Sequence, residues 1–309
     1  MEQNNEHLSN RIIEWVVDNV DSSAVVESVS RLKGSTSSTL HSITLKVDKS
    51  VKRYVVRQFD NKEWLAEEPD LVLHEKESLL MAAKTGITTP QVVAYDETGE
   101  KCGIPVILMT KLEGAVELKP ANMDEWLTGL AKGLVKIHAV EASDFPYQHY
   151  SYNDISTFEV PSWSKEPKTW ESAINILRGP RPKTTDCFIH RDYHPANVLW
   201  NEGLVSGVVD WVNGCRGPRG VDVGHCRVNL AMLYGVETAD GFLKEYQQQA
   251  GSDFTYNRYW DLLSLTDILI GSPEVYPGWE AFGVSGLTNE MMKERLDKYV
   301  VSLLKNQGS

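Results

Sequence analysis

A chain of 309 residues with 41% hydrophobic side chains is long enough for two compact units with real cores, and its formal charge of -12 excludes a nucleic-acid partner, which needs clustered Lys and Arg. Cys102, Cys187, Cys215 and Cys226 lack the pairing of a disulfide framework or the spacing of a zinc site, so reduced thiols are expected. No run approaches a membrane span and the N-terminus lacks the basic start of a signal peptide, which points to a cytoplasmic protein without a membrane partner.

Leu8, Ile12, Val16 and Val20 recur every four residues and predict a short helix that covers the first unit. Val25 to Leu32 and Leu40 to Val47 read as strands joined by Lys33-Gly34-Ser35-Thr36-Ser37-Ser38. The backbone N–H groups and hydroxyls of this turn suit an anion, and Gly34 permits close approach; a plain Ser/Thr-rich hairpin turn explains the same residues. A third strand, Val51 to Phe59, places Arg53, Val55, Arg57 and Phe59 on one face. The following helix runs from Asp70, as its N-cap, to Lys84, with Gly86 just past its end. Val72, Glu75, Leu79 and Ala83 share one side of it, so Glu75 interrupts an apolar stripe. A pair between Glu75 and Arg57 would satisfy both groups, and the other reading of Arg57 is a surface ion-pair partner.

Ile104 to Thr110 is a strongly apolar strand, interrupted by Lys111-Leu112-Glu113-Gly114, and the hinge between the units falls at about 109–114. Asp124 to Val140 is a helix with Trp126, Leu130, Leu134 and Ile137 on its apolar face and His138 at the border, read as a core histidine. Tyr147 to Pro182 is irregular and contains one helix, Pro167 to Leu177.

The stretch from Cys187 to Trp211 carries the chemistry. An apolar run ends at His190, a polar loop holds Asp192 and Asn197, and two further runs around the turn Asn201-Glu202-Gly203 deliver Asp210. Strand ends hold side chains rigidly, so the three oxygen donors can converge. That is the donor set of phosphoryl transfer: Asp192 orients an acceptor hydroxyl and takes its proton late, Asn197 offers a neutral oxygen to magnesium, and Asp210 offers an anionic one. His190 is structural, its ring fixing the loop. Asp222 opens a helix running to Tyr234 and reads as its N-cap. Thr238 to Gln249, Thr255 to Ile270 and Thr288 to Leu304 are helical. Between Ala231 and Glu290 nine acids face two bases, Lys244 and Arg258. They read as a solvated helical surface, with a wall that steers a cationic acceptor as the alternative. Tyr256, Tyr259, Trp260, Tyr276 and Trp279 are read as core packing, with a cage for a quaternary ammonium as the alternative.

His190-x-Asp192-x4-Asn197 followed by Val208-Val209-Asp210-Trp211 resembles the catalytic loop and metal-binding Asp of the aminoglycoside phosphotransferase and choline kinase family. The resemblance implies an α+β, protein-kinase-like, two-lobed fold. Residues 1–110 form a nucleotide-binding lobe with an N-terminal antiparallel five-stranded β-sheet and one main helix; residues 111–309 form a larger, mostly helical C-terminal catalytic and acceptor-binding lobe. It also implies Mg2+ as cofactor and ATP or GTP as phosphate donor. Gly34 and Ser35 would then cover the phosphates, and Arg57, held by Glu75, would contact them, with Arg where the kinase pattern has Lys. The adenine would meet the backbone from Met109 to Leu112, and Asp222 would brace the catalytic loop.

The expected activity is transfer of the terminal phosphate to a hydroxyl of a small molecule, such as an aminoglycoside-type antibiotic, with a choline, amino-alcohol or sugar-metabolite kinase as the alternative. A protein kinase fits less well, because Asp210-Trp211-Val212 replaces Asp-Phe-Gly and no Ala-Pro-Glu follows. The presence of Asp192, Asn197 and Asp210 together argues against a binding protein without turnover. The sequence leaves the acceptor, the choice of nucleotide and the oligomeric state open.

Overall fold

The computed structural model describes residues 7–34, 37–252, 254–268 and 271–305. Helix α1 (Asn10–Val20) starts at Ser9, whose hydroxyl accepts a hydrogen bond from Ile12 N and caps the first turn. With Leu8, its stripe of Ile12, Trp15 and Val16 is buried against one face of an antiparallel sheet. That sheet consists of β1 (Val25–Arg31), β2 (Thr39–Val47), β3 (Ser50–Gln58), β4 (Val92–Asp96) and β5 (Val106–Thr110), in the spatial order β1-β2-β3-β5-β4. The period of two sorts its side chains: Tyr54, Val56, Val106 and Leu108 face α1, while Val55, Ile107 and Met109 join the larger core on the other face. Arg57 shares that second face and sits between Leu40 of β2 and Ile107 of β5.

Between β3 and β4 lie α2 (Lys62–Glu67), a short helix absent from the sequence expectation, and the main helix α3 (Leu71–Ala82). Asp70 stands at the N-cap position of α3, but its carboxylate makes no capping bond. It accepts a hydrogen bond from the Tyr147 hydroxyl at 3.1 Å instead, so its expected capping role is corrected. After β5 the chain reaches β6 (Ala115–Val116), which pairs with the strand carrying Leu199 and Trp200.

The rest is mostly helical: α4 (Met123–His138), α5 (Pro167–Leu177), then β7 (Asp186–Ile189), β8 (Val198–Asn201), β9 (Leu204–Val208) and β10 (Cys215–Pro218). There follow α6 (Arg219–Tyr234), α7 (Val236–Ala250), α8 (Tyr259–Ile268), the short α9 (Pro277–Ala281) and α10 (Asn289–Lys305). Almost all of α6 from Gly220 to Leu233 is buried, because α7, α8 and α10 pack around it. It is the post on which this half of the molecule is hung. This is the α+β layout expected, a sheet with one main helix followed by a larger helical part. The four cysteines are free and buried, and no helix among the described residues is long and apolar enough to cross a membrane.

Candidate active site

Strand β7 delivers His190 at its end, and the loop that follows is held by local bonds. Asn197 Nδ2 donates to Asp192 O at 2.9 Å and to Asp192 Oδ2 at 3.2 Å, which directs the amide oxygen of Asn197 away from Asp192. The β8–β9 hairpin turns through Glu202 and Gly203, both with positive φ. Two bonds then fasten the end of this hairpin to the loop: Val209 N donates to Asn197 O at 3.0 Å, and His190 Nε2 donates to Val209 O at 2.9 Å. Beside it Trp211 lies flat on Phe188, ring centroids 5.6 Å apart. Arg191 and Asp210 have φ of 69° and 67°, left-handed values that non-glycine residues keep only where the surroundings impose them.

The carboxylate of Asp210 meets Arg57: Nη2 donates to Oδ1 at 2.6 Å. On its other side Arg57 Nη1 lies 3.2 Å from Glu75 Oε1 of α3, and both residues are almost fully buried. The surface reading of Arg57 is thereby excluded. Burial pushes the Glu75 carboxyl up to about 7; Arg57 opposes the shift and Asp210 adds to it. Arg57 Nε and Nη1 and Glu75 Oε2 are buried without a hydrogen-bond partner among the described residues. An arginine with unused donors beside two hard oxygen ligands fits a phosphate with a magnesium ion. Magnesium keeps waters and substrate phosphates among its ligands, so Asn197 and Asp210 would suffice as the protein's share.

Asp192, Asn197, Asp210, Arg57, Glu75, Gly34, Met109 and Leu112 all line one cavity of about 550 Å³ between the sheet and the helical part. Ser35 lies outside the described residues. His190 and Asp222 stand behind the cavity wall. At its mouth the hairpin between β1 and β2 closes on a distant segment: the Tyr276 hydroxyl donates to Gly34 O at 3.1 Å. A Cβ on Gly34, whose φ is 93°, would stand 2.6 Å from the Phe282 ring, so glycine is required there on both counts.

A second cavity, of about 690 Å³, opens on the other side of Asp192, between α6 and the segment Ser272–Pro277. Asp192, Asn213, Ser37 and Tyr276 border both cavities. Here lies a residue that sequence reasoning missed. His225 of α6 places Nε2 at 2.9 Å from Asp192 Oδ1, with His194 Nε2 farther off at 3.8 Å. Burial opposes ionisation of Asp192, but His194 and the bond and charge of His225 outweigh it and hold the carboxyl below its usual range.

The acids after Ala231 follow the plainer of their two readings, paired or solvated helix surfaces rather than a wall. Among the eight acids that fall on described residues, Glu274 lines this cavity and Asp267 stands near His225 at its wall. Asp240 and Asp261 pair with Arg227, Glu245 accepts from Thr128, Glu290 pairs with Lys293, and Asp253 lies outside the described residues. Charge counting along the sequence does not tell which way a helix faces. The quaternary-ammonium cage also fails, since Tyr259, Trp260 and Trp279 are core residues and only Tyr276 reaches the cavity.

The N-cap reading of Asp222 is corrected, and its other reading, a brace for the catalytic loop, matches the bonds that it makes. Helix α6 begins three residues earlier, with Pro218 at the cap position. The Asp222 carboxylate instead accepts from His190 N at 2.8 Å and Arg191 N at 2.6 Å, and from His138 Nε2 at 3.0 Å. His138 is the core histidine expected. Between Asp210 and α6 only residues 211–218 intervene, too short a run for the peptide-docking segment of a protein kinase.

Solved structures with this architecture span nearly the whole chain. A thermostable variant of aminoglycoside phosphotransferase APH(4)-Ia, in ternary complex with AMP-PNP and hygromycin B, superposes with a TM-score of 0.62 at 15% identity, covering 97% of this chain and 100% of that one. Macrolide 2'-phosphotransferase MphH from Brachybacterium faecium gives 0.57 at 14% identity, covering 96% and 99%. Amicoumacin kinase hAmiN, in complex with AMP-PNP, Ca2+ and Ami, gives 0.56 at 15%, covering 89% and 88%. No curated protein matches. At such identities the likeness establishes the kinase-like fold, and a model of the phosphotransferase enzyme family, APH, matches residues 35–262. The chain belongs to that family and is a phosphotransferase.

Proposed function

We propose that this enzyme moves the terminal phosphate of ATP or GTP to a hydroxyl of a small molecule, such as an aminoglycoside-type antibiotic. One observation carries the reading: two cavities meet at a single ionised carboxylate, Asp192. The cavity holding Arg57, Asn197 and Asp210 takes the nucleotide, and the one of about 690 Å³ between α6 and Ser272–Pro277 takes the acceptor, being of drug size. Arg57, held by Glu75, grips a phosphate, and the hairpin at Gly34 covers it. The adenine lies against the backbone from Met109 to Leu112. Asn197 and Asp210 hold Mg2+, which when bound neutralises charge on the phosphates. Asp192 orients the acceptor hydroxyl and receives its proton. In this reading the hinge at 109–114 divides a nucleotide lobe, residues 1–110, from a catalytic lobe, residues 111–309. The neighbours bound to AMP-PNP support a nucleotide donor.

The test is turnover of ATP and GTP in parallel, with magnesium, against aminoglycosides, macrolides, choline, ethanolamine and amino sugars. Stimulated turnover with one acceptor class names the substrate; nucleotide binding without stimulation by any of them counts against the small-molecule reading. Within the site, Glu75→Gln removes the charge that holds Arg57 on the phosphate side. The nucleotide KM is expected to rise by about tenfold with a smaller change in kcat, as for other residues that orient a ligand-binding group. An unchanged KM in steady-state kinetics would take Glu75 out of the nucleotide site.

A further inference from the structure

One face of α6 presents Asp222, His225 and Asn229, spaced three and four residues apart, to the catalytic loop and the acceptor cavity. Asp222 accepts from the backbone N–H groups of His190 and Arg191, and His225 meets the carboxylate of the next residue, Asp192. Three consecutive loop residues are thus tied to two side chains one helical turn apart. The Asp192 carboxylate is held from both ends, Oδ1 by His225 and Oδ2 by Asn197 Nδ2. Rotation about its Cβ–Cγ bond would break both contacts. We propose that His225 is a positioning residue for the phosphoryl transfer: it donates Nε2–H to Asp192 Oδ1 and so fixes the edge of the carboxylate that meets the acceptor hydroxyl.

The inference rests on the reading of Asp192 as the base. In the transfer, the acceptor oxygen forms its bond to the terminal phosphorus while its proton passes to Asp192. The bond from that phosphorus to the bridging oxygen breaks, and its electron pair leaves with the nucleoside diphosphate. His225 keeps its proton throughout. Its surroundings favour that state. Burial lowers the His225 pKa, but the bond and charge of Asp192, with Asp222 on its own helix and Asp267 on α8, outweigh burial and raise it above the ordinary value. Burial lowers the pKa of His194 to about 4, so that this ring, 5.8 Å away, adds no opposing charge near neutral pH.

Two variants and one spectrum test this. His225→Leu removes the donor and is expected to lower kcat by about 10–100-fold, the usual cost of losing a partner that orients a reacting group. The nucleotide KM should stay within about twofold, because the side chain faces the acceptor cavity. His225→Gln supplies an amide N–H and should recover most of the loss. A kcat for His225→Leu within about threefold of the parent, or a glutamine variant no better than leucine, overturns the proposal. The spectrum needs neither an acceptor nor a variant at position 225: in ¹⁵N-histidine-labelled protein the His225 pKa should fall on Asp192→Asn, and an unchanged value overturns the bond. If the parent phosphorylates no acceptor, the phosphotransfer reading fails by itself, and this spectrum still decides whether His225 and Asp192 are joined.

Discussion

Replacing Asp192 by Ala is expected to reduce kcat by about 10³-fold, within the range of about 10²–10⁴ that a positioned base contributes. Nucleotide affinity should be unchanged or slightly tighter. The sign follows from charge: Asp192 borders the nucleotide cavity but is not in contact with Arg57, so its removal takes away a negative neighbour of the phosphates and no phosphate ligand. Its loss also costs some stability, because a carboxylate held below its usual range stabilises the folded chain and its removal leaves the His225 Nε2–H without this partner. The Asp192 side chain is about a third exposed at the junction of the cavities, and the loop around it is fastened by backbone bonds through Asn197 and Val209. This exposure and fastening keep the loss modest, and a melting temperature slightly below that of the parent is expected. Calorimetric titration with a nonhydrolysable nucleotide and single-turnover transfer separate the two effects. Turnover within about tenfold of the parent would show that the acceptor hydroxyl needs no carboxylate at this point, and Asp192 would lose its role.

The parts of the site legible in the sequence are those fixed by local geometry or by the cost of an unpaired charge. His190, Asp192, Asn197 and Asp210 lie at strand ends separated by short turns, so their spacing in sequence nearly fixes their spacing in space. Arg57 and Glu75 are distant in sequence but readable, because a carboxylate in an apolar helical stripe must find a cation and Arg57 shows the same defect on a strand. The illegible parts arise where α6 and the last helices pack. His225 reaches Asp192 through the packing of α6 on the loop, and with α6 starting at Arg219 Asp222 is off the cap and on the same face as His225. The sole trace of this is the three-residue spacing of Asp222 and His225, common on any helix. Tyr276 meets Gly34 across 242 residues, a contact made by the whole fold. The contact between Arg57 and Asp210 was equally hidden, and it joins the expected phosphate ligand to an expected metal ligand. The acids after Ala231 left two readings open for the same reason. Their count does not say that Asp240 and Asp261 turn to Arg227, Glu237 to solvent and Glu245 to Thr128.

Asp222→Ala is expected to cost both stability and activity, more heavily than any other single change outside the cavities. Three donors, His190 N, Arg191 N and His138 Nε2, converge on a carboxylate with no solvent exposure. His138 Nδ1 faces the Tyr246 hydroxyl at 2.7 Å; with Nδ1 accepting that bond, the ring proton lies on Nε2 and points at Asp222. Removing the carboxylate leaves those donors buried and unpaired, at about 1–3 kcal/mol each and less than additively, so a loss of about 3–5 kcal/mol is expected. Urea titration reads it as a lower midpoint at constant slope. Asp222→Asn is the sharper variant. Its single oxygen can accept from His190 N or Arg191 N but not both, and its NH2 group then points at a second donor. Asparagine should therefore fold with a smaller stability loss and still lose at least about tenfold in kcat, because the loop carrying Asp192 is no longer clamped. The acid dependence follows from the same bonds. Burial alone would raise the Asp222 pKa, but the His138 bond and charge and the His190 contacts lower it below 3.8. Its contribution is thus complete above the unfolded carboxylate range and is lost as pH falls through the folded value, and in Asp222→Asn that part of the acid transition should vanish. A folded Asp222→Asn enzyme with the parent's kcat would mean that the loop keeps its shape without α6, and that the clamp serves stability alone.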